Sequence, residues 1–351
     1  MEARETTGQR QVLYVGVDMH KRTWHVTGVH ERGSEAFSVS MRAEAAELLQ
    51  YLRKWSDRRI EVVYEAGYFG YGLHDELEEH GITCTVTPPS LIPGEYGNRV
   101  KTDQRDSRKL ATLLAKGLLK RVYVLTPRER AHRQVVRSRR TFMADRRRKQ
   151  CQIKAFLAQY GVPLPECTGP WTRTFVAHLH GIRFADRWLQ QCFARLMRAF
   201  EQADLLVREQ TDMIRTLAQE ESYRERVALL CLIPGIGLLT AMELLVELQE
   251  IERFRTGAHI AAYVGLTPSQ FSSGDRIRMG HITRVGKAHL RGALIEAAWV
   301  LVRKDRRAAE MFATIRARAG AKRAIVAIAR RLLLLIRSVL ITGTAYVPCE
   351  A

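Results

Sequence analysis

From Arg128 to Tyr160 the chain has no proline and no glycine, yet it is crowded with Arg128, Arg130, Arg133, Arg137, Arg139, Arg140, Arg146, Arg147, Arg148, Lys149 and Lys154. Nothing in such a stretch breaks a helix, and little of it can be buried. Val135, Phe142, Ile153, Phe156 and Leu157 supply only a thin apolar stripe. The run is therefore predicted as one long basic helix, a poor core element that separates what folds before it from what folds after it. So dense a positive run would repel itself without a partner. That favours an arm tracking phosphates, or a helix paired with another chain, over a merely solvated helix. DNA and RNA fit this element equally.

The bias extends to the whole chain. A net charge of +19 over 351 residues predicts a polyanionic partner, nucleic acid first. A membrane surface competes, but the best apolar run, Leu332 to Ile341, is short and contains Arg337 and Ser338. A hydrophobic share of 46% is that of a globular protein, and the length suits two or three domains. The polar first ten residues read as a loose tail rather than a signal peptide. Cys84, Cys151, Cys167, Cys192, Cys231 and Cys349 are scattered without a CxxC pair, which argues against a zinc ribbon or disulfide framework and fits a reducing cytosol.

Ahead of the basic run, apolar β-rich segments alternate with helical spacing. VLYVGVD, residues 12–18, ends in Asp18; residues 24–29 and 35–40 follow after short turns. Three strands in an antiparallel meander are expected. Residues 43–55 have helical spacing, 60–65 form a strand ending in Glu65, 71–80 a helix, 83–87 a strand, and 100–119 a helix carrying Asp103 and Asp106. This is an α/β pattern with a mixed central sheet.

Singly, these acids read as an ordinary strand-end Asp, a surface Glu and helix N-terminal Asp residues. As a set they read differently. Strand ends deliver Asp18 and Glu65 to a sheet edge, and Asp103 and Asp106, three apart, share one helical face. Gathered carboxylates repel unless cations sit between them, and Mg²⁺ prefers oxygen ligands. Metals so held activate nucleophiles and stabilise leaving oxygens in phosphoryl transfer. Lys101, Arg105, Arg108 and Lys109 around the last two acids suit an anionic substrate, or form weak surface pairs.

Beyond the basic run, residues 161–170 form a Pro/Gly-rich break, and 171–226 return to helix, able to pack back as a hairpin. LLCLIPGIGLLTAMELLVEL follows, interrupted by Pro234, Gly235, Ile236 and Gly237. It has the look of a helix-hairpin-helix whose backbone N–H groups at Gly235 and Gly237 hold a phosphate without reading bases, or of a simple turn. Tyr263 to Arg291 then combines Gly274, Gly280 and Gly286 with Ser269, Ser272 and Ser273. Arg276, Arg278, His281, Arg284, Lys287, His289 and Arg291 could neutralise phosphates around one of those hydroxyls. Residues 308–318 and 321–340 are predicted as C-terminal helices.

GVDMHK, YEAG, KTDQRDSRKLA, IPGIG and AAYVGLTPSQFSSGDRIRMGHITRVGKAHLR occur in this order. Together they resemble the insertion-sequence transposases of the IS-one-ten family, the bridge-RNA-guided DNA recombinases, over nearly the whole chain. The resemblance implies a RuvC-like (RNase H-like) DEDD domain over 12–126, a helical coiled-coil region over 127–226 and a mainly α, serine-bearing transposase domain over 227–343. Tails are expected at 1–11 and 344–351. The family's four acids fall on Asp18, Glu65, Asp103 and Asp106, its catalytic serine on Ser273. It further implies Mg²⁺, no other cofactor, a structured guide RNA, donor and target DNA, and a homo-oligomer built as a dimer of dimers. In that assembly the acids of one protomer meet the serine of another, at the nucleoid in the bacterial cytoplasm. Arg139, Arg140, Arg146, Arg147 and Arg148, with Gly235, Gly237, Arg276, Arg278, Arg284 and Lys287, are the expected nucleic-acid contacts. The competing readings are a metal-dependent nuclease or junction resolvase that uses water, and a non-catalytic nucleic-acid-binding protein.

Overall fold

A computed structural model describes residues 11–93, 102–164, 169, 171–270, 278–283 and 285–349. The chain divides into two compact units, Met1–Leu125 and Thr126–Ala351.

In the first unit β1 (Val12–Met19), β2 (Thr23–His30) and β3 (Glu35–Arg42) form the expected antiparallel meander. Helix α1 (Ala45–Leu52) crosses to β4 (Arg59–Glu65), and α2 (Gly72–Glu79) crosses to β5 (Thr83–Thr87). Both crossovers make parallel pairs, so the sheet is mixed, in the order β3-β2-β1-β4-β5. Helix α3 (Asp103–Ala115) closes the unit. It starts at Asp103, where Thr102 caps it with its hydroxyl accepting from the Arg105 amide, and ends at Ala115, ahead of Gly117 at positive φ, within the expected 100–119.

Strand periodicity decides what each face carries. Leu13, Val15 and Val17 of β1 are fully buried with Val62 and Tyr64 of β4, against Leu48 and Leu52 of α1 and Leu73 and Leu77 of α2. Alternation therefore turns Gly16, Asp18 and Glu65 to the opposite face. That face belongs to α3, which packs across β1, β2 and β4. The approach is backbone to backbone: a Cβ on Gly16 would lie 2.0 Å from the Ser107 carbonyl oxygen and 2.7 Å from the Ala111 nitrogen. The buried hydroxyls of Thr27 and Ser107, 2.8 Å apart, fix the helix along its axis.

Gly16→Ala is accordingly expected to push α3 outward at a cost of about 1–3 kcal/mol, the usual overpacking penalty. Because α3 carries Asp103, cation binding should weaken with it. Calorimetric titration beside a thermal melt checks this, and an unchanged affinity would argue against α3 as the element that sets the site.

In the second unit α4 (Pro127–Gln159) is the predicted long basic helix, started by a capping box between Thr126 and Glu129. It is followed by α5 (Arg173–Gly181) and α6 (Arg187–Leu217). Helix α6 runs back along α4, and α5 closes their far end through Ile153, Leu157, Phe175, Leu179, Phe193, Met197 and Phe200. Then come α7 (Glu221–Cys231), α8 (Leu238–Leu248), α9 (Gly257–Val264), strands β6 (Pro268–Gln270) and β7 (Met279–Ile282), α10 (Ala288–Lys304), α11 (Arg306–Ala319) and α12 (Ala321–Thr342). Val136 of α4 and Ile214 and Leu217 of α6 join one core with α7 to α12. Residues 344–349, expected as a tail, are fastened: buried Asp305 accepts from the Tyr346 hydroxyl at 2.7 Å and the Cys349 amide at 2.9 Å.

Candidate active site

Asp18 and Glu65 each follow the last paired residue of adjacent parallel strands, since Val17 pairs with Tyr64. Their carboxylates thus emerge at one end of the sheet, on the α3 face. Asp103 and Asp106 occupy the first turn of α3. The Asp18 and Asp103 carboxylates converge on His20, whose Nε2 lies 3.4 Å from each. The ligand atoms of Asp18, His20 and Asp103 all fall within 4.8 Å of one another. Asp106 sits one helical turn beyond Asp103, half-buried, and Glu65 stands exposed at the end of the neighbouring strand.

Two carboxylates and an imidazole at this spacing fit a divalent cation: hard oxygen donors with one borderline nitrogen. The cluster is graded in exposure, with the Asp18 side chain 23% exposed and Asp103 61% exposed. Asp18 is the group that burial restrains most. His20 escaped the sequence reading, although the signal was there: it lies two residues beyond Asp18, on the same side of an emerging strand.

The serine segment belongs to the second unit. It leaves α9, forms the antiparallel β6–β7 pair, and re-enters at α10. Ser269 donates to the His281 carbonyl at 3.0 Å, and the Thr283 amide to the Thr267 carbonyl at 2.9 Å. Ser272, Ser273, Gly274 and Arg276 lie outside the described residues, as does Arg284. Arg278 is exposed at the start of the returning strand.

Lys287 does not stand alone. Its Nζ lies 3.3 Å from Glu247 Oε2, beside His289 Nε2 at 3.3 Å from Oε1. Arg137 forks onto the same carboxylate, Nε at 2.6 Å and Nη2 at 2.9 Å. Burial alone would push the Glu247 carboxyl up, but His289, Arg137 and Lys287 together hold it well below the usual glutamate range. Sequence could have flagged it: Glu247, set directly among Leu244, Leu245, Val246 and Leu248 on a largely apolar helix, needs buried partners.

The sign follows from that depression. Glu247's contribution is complete above its ordinary value of 4.5 and is lost as pH falls below it. Denaturation followed from roughly pH 6 to roughly pH 3 should show a steeper loss for the wild type than for Glu247→Gln. Parallel curves would mean the carboxylate is not held in this way.

The basic arm is not a uniformly open face. Arg139 Nε donates to the Thr211 hydroxyl at 2.9 Å, Arg140 meets Glu243 at 3.3 Å, and Arg146 meets Asp204 at 3.0 Å. Arg147 and Arg148 are exposed, the latter paired with Asp145 at 2.8 Å. Packing along α6 and α8 turns one side of the arm inward, which the thin apolar stripe did not reveal. The turn at Gly235 packs against α10, where a Cβ would lie 2.4 Å from the Ala297 carbonyl oxygen, while Gly237 is exposed at the start of α8. Two helices, α7 and α8, are thus joined by a turn here, with Gly235 engaged in packing.

Comparison with known proteins agrees with this layout. Residues 15–162 match the DEDD transposase model of the IS110 group, and residues 227–313 match the transposase model of the IS116/IS110/IS902 family. The chain carries the two domains of the IS110-family transposases. The first match spans the sheet, α3 and the basic helix; the second spans α8 to α10, including the serine segment. Related transposases include a putative transposase of Sinorhizobium fredii, 30% identical over 239 residues, which are 67% of this chain and 57% of that protein. The transposase for insertion sequence element IS1533 of Leptospira borgpetersenii is 26% identical over 297 residues, 83% of this chain and 85% of that protein. The transposase for insertion sequence element IS1111A of Coxiella burnetii is 23% identical over 346 residues, 92% of this chain and 88% of that protein. Among the described residues, no helix is long and apolar enough to cross a membrane.

Proposed function

We propose that this chain is the transposase of an insertion sequence, cutting and rejoining DNA by phosphoryl transfer under the guidance of a structured RNA. The observation that carries the reading is the convergence of Asp18 and Asp103 on His20 at the strand ends beside Glu65. Asp18, Glu65, Asp103 and Asp106 would hold Mg²⁺, with His20 against the same cluster. A cation so placed supplies Lewis acidity for charge that builds on phosphate oxygens. Ser273 Oγ bonds to a backbone phosphorus and loses its proton, while the ester bond to one flanking nucleoside breaks and the leaving oxygen takes up a proton. The phosphoserine ester keeps the bond energy for rejoining, when a DNA hydroxyl attacks the same phosphorus and releases the serine. Arg276, Arg278 and Arg284 supply positive charge around that phosphate. The exposed side of α4, with Arg147 and Arg148, tracks nucleic-acid backbone, and the active unit is a homo-oligomer in which acids and serine come from different protomers.

A second reading is a nuclease or resolvase that uses water. It is favoured by the fact that the clustered Asp18, His20 and Asp103 all lie within the first unit. The test is to purify the protein from its native locus, sequence the RNA that accompanies it, and incubate the complex with both DNA sites. A discrete RNA mapping beside the gene and a protein–DNA adduct that survives denaturation are expected. No adduct from wild type with its RNA and both sites ends the serine reading; random RNA fragments end the guided one.

A further inference from the structure

Glu247 is a deeply buried carboxylate of the second unit, its side chain 1% exposed, and the chemistry above gives it no role. Its surroundings do. The serine segment leaves and re-enters the helical body through a narrow neck, where two stretches of backbone touch. A Cβ on Gly265 would lie 2.1 Å from the Val285 carbonyl oxygen, and one on Gly286 would lie 2.3 Å from that of Tyr263. Both glycines have positive φ, +80° and +104°, so the crossing rests on conformations that other residues resist.

Three contacts tie this neck. The Lys287 amide donates to the Tyr263 carbonyl at 3.3 Å, the Tyr263 hydroxyl to the Glu247 backbone carbonyl at 3.1 Å, and Arg291 Nη1 to the Val264 carbonyl at 2.8 Å. The Glu247 side chain then joins the two sides. It takes Lys287 and His289 from the start of α10, where the neck re-enters the helical body, and Arg137 from α4. One carboxylate therefore links the basic helix to the base of the segment that carries Ser273. Its partners are only partly covered, Arg137 being 34% and Lys287 28% exposed, so they hold the neck from its solvent side.

We infer that Glu247 is a positioning residue for strand transfer: through Lys287 and Arg137 it fixes where the serine segment stands against α4. The inference rests on the serine reading for its functional consequence, but not for its structural one. A fixed neck matters because a nucleophile must reach phosphorus along one line, and a misplacement of about 1 Å can lower a rate about a hundredfold.

The test uses the full chain with its RNA and both DNA sites, and compares Glu247→Gln with the double variant Arg137→Met/Glu247→Gln. Glu247→Gln leaves Arg137 and Lys287 without their carboxylate and lowers Tm; the double variant removes the strongest of those stranded charges and recovers much of it. In both, adduct formation is expected to slow by about tenfold to a hundredfold, while the DNA affinity stays within about twofold of wild type, as positioning without contact requires. Hydrogen exchange at the Thr283 and Lys287 amides should speed up in both, with α10 to α12 unchanged. Exchange that stays at the wild-type rate overturns the proposal, and so does an adduct rate that recovers together with Tm, since Glu247 would then be structural only. The serine reading fails by a separate sign, an adduct that persists in Ser273→Ala, and the exchange arm still reads the neck in that case.

Discussion

Ser273→Ala is expected to abolish the protein–DNA adduct, with strand transfer falling at least about a thousandfold, because removing the attacking atom closes the covalent route altogether. The effect belongs to the chemical step. DNA affinity should stay within about twofold, since one hydroxyl adds little beside a net charge of +19. Ser272→Ala is the matched control and should keep the adduct, because the hydroxyl next to Gly274 remains. Denaturing gels of labelled DNA with each variant give the answer. An adduct from Ser273→Ala would remove the serine from the mechanism. Cleavage without any adduct, in that variant and in wild type alike, would favour a water-using enzyme.

Asp18→Asn is the second large effect. Asp18 is the least exposed member of its cluster, projecting from a strand between buried Val17 and partly buried Met19, so little can move to replace it. Converting one oxygen ligand to an amide removes a charge from the site while keeping its shape. Loss of several kcal/mol of charge stabilisation corresponds to about a thousandfold in rate. The binding of Mn²⁺, followed directly by calorimetry, should weaken in step. DNA affinity should hold or rise slightly, because a negative charge facing phosphate has been removed. The two variants separate the halves of the site: both lose the adduct, but only Asp18→Asn loses the cation. Asp18→Asn that still binds Mn²⁺ as wild type does would take Asp18 out of the ligand set.

Much of the first unit was legible from residue order. β-branched runs of five to eight residues, spaced by two helical stretches, leave few alternatives to a mixed sheet with a meander at one side. Strand alternation even predicts which face Asp18 and Glu65 share. What it could not supply was the placement of α3, because the contact that sets it has no sequence signature beyond Gly16 in a strand and Ser107 in a helix. Both are common residues, and their meaning depends on facing each other across a long separation.

The second unit was read less completely for a related reason. Arg137, Arg139, Arg140 and Arg146 look alike as sequence, eleven basic residues in one helix with no periodic apolar face strong enough to assign sides. Only packing along α6 and α8 distinguishes the inward side from Arg147 and Arg148. Lys287 has the same history. Its place among Arg and His residues suggests a phosphate contact, whereas Glu247, forty positions earlier, engages it.

The sequence by itself determined the element types, the sheet's handed-out faces, the long basic helix, and a family resemblance carried by motifs spread along the chain. These are local or additive properties: periodicity, capping, turn residues and net charge act over a few residues or over the whole composition. The tertiary structure alone decided that His20 joins Asp18 and Asp103, that Arg137, Arg139, Arg140 and Arg146 of the basic arm are engaged by α6 and α8, and that Glu247 ties α4 to the neck of the serine segment. Each of these is a pairing of distant residues, and its energy comes from burial and short-range charge that exist only once the backbone has brought the partners within a few ångströms.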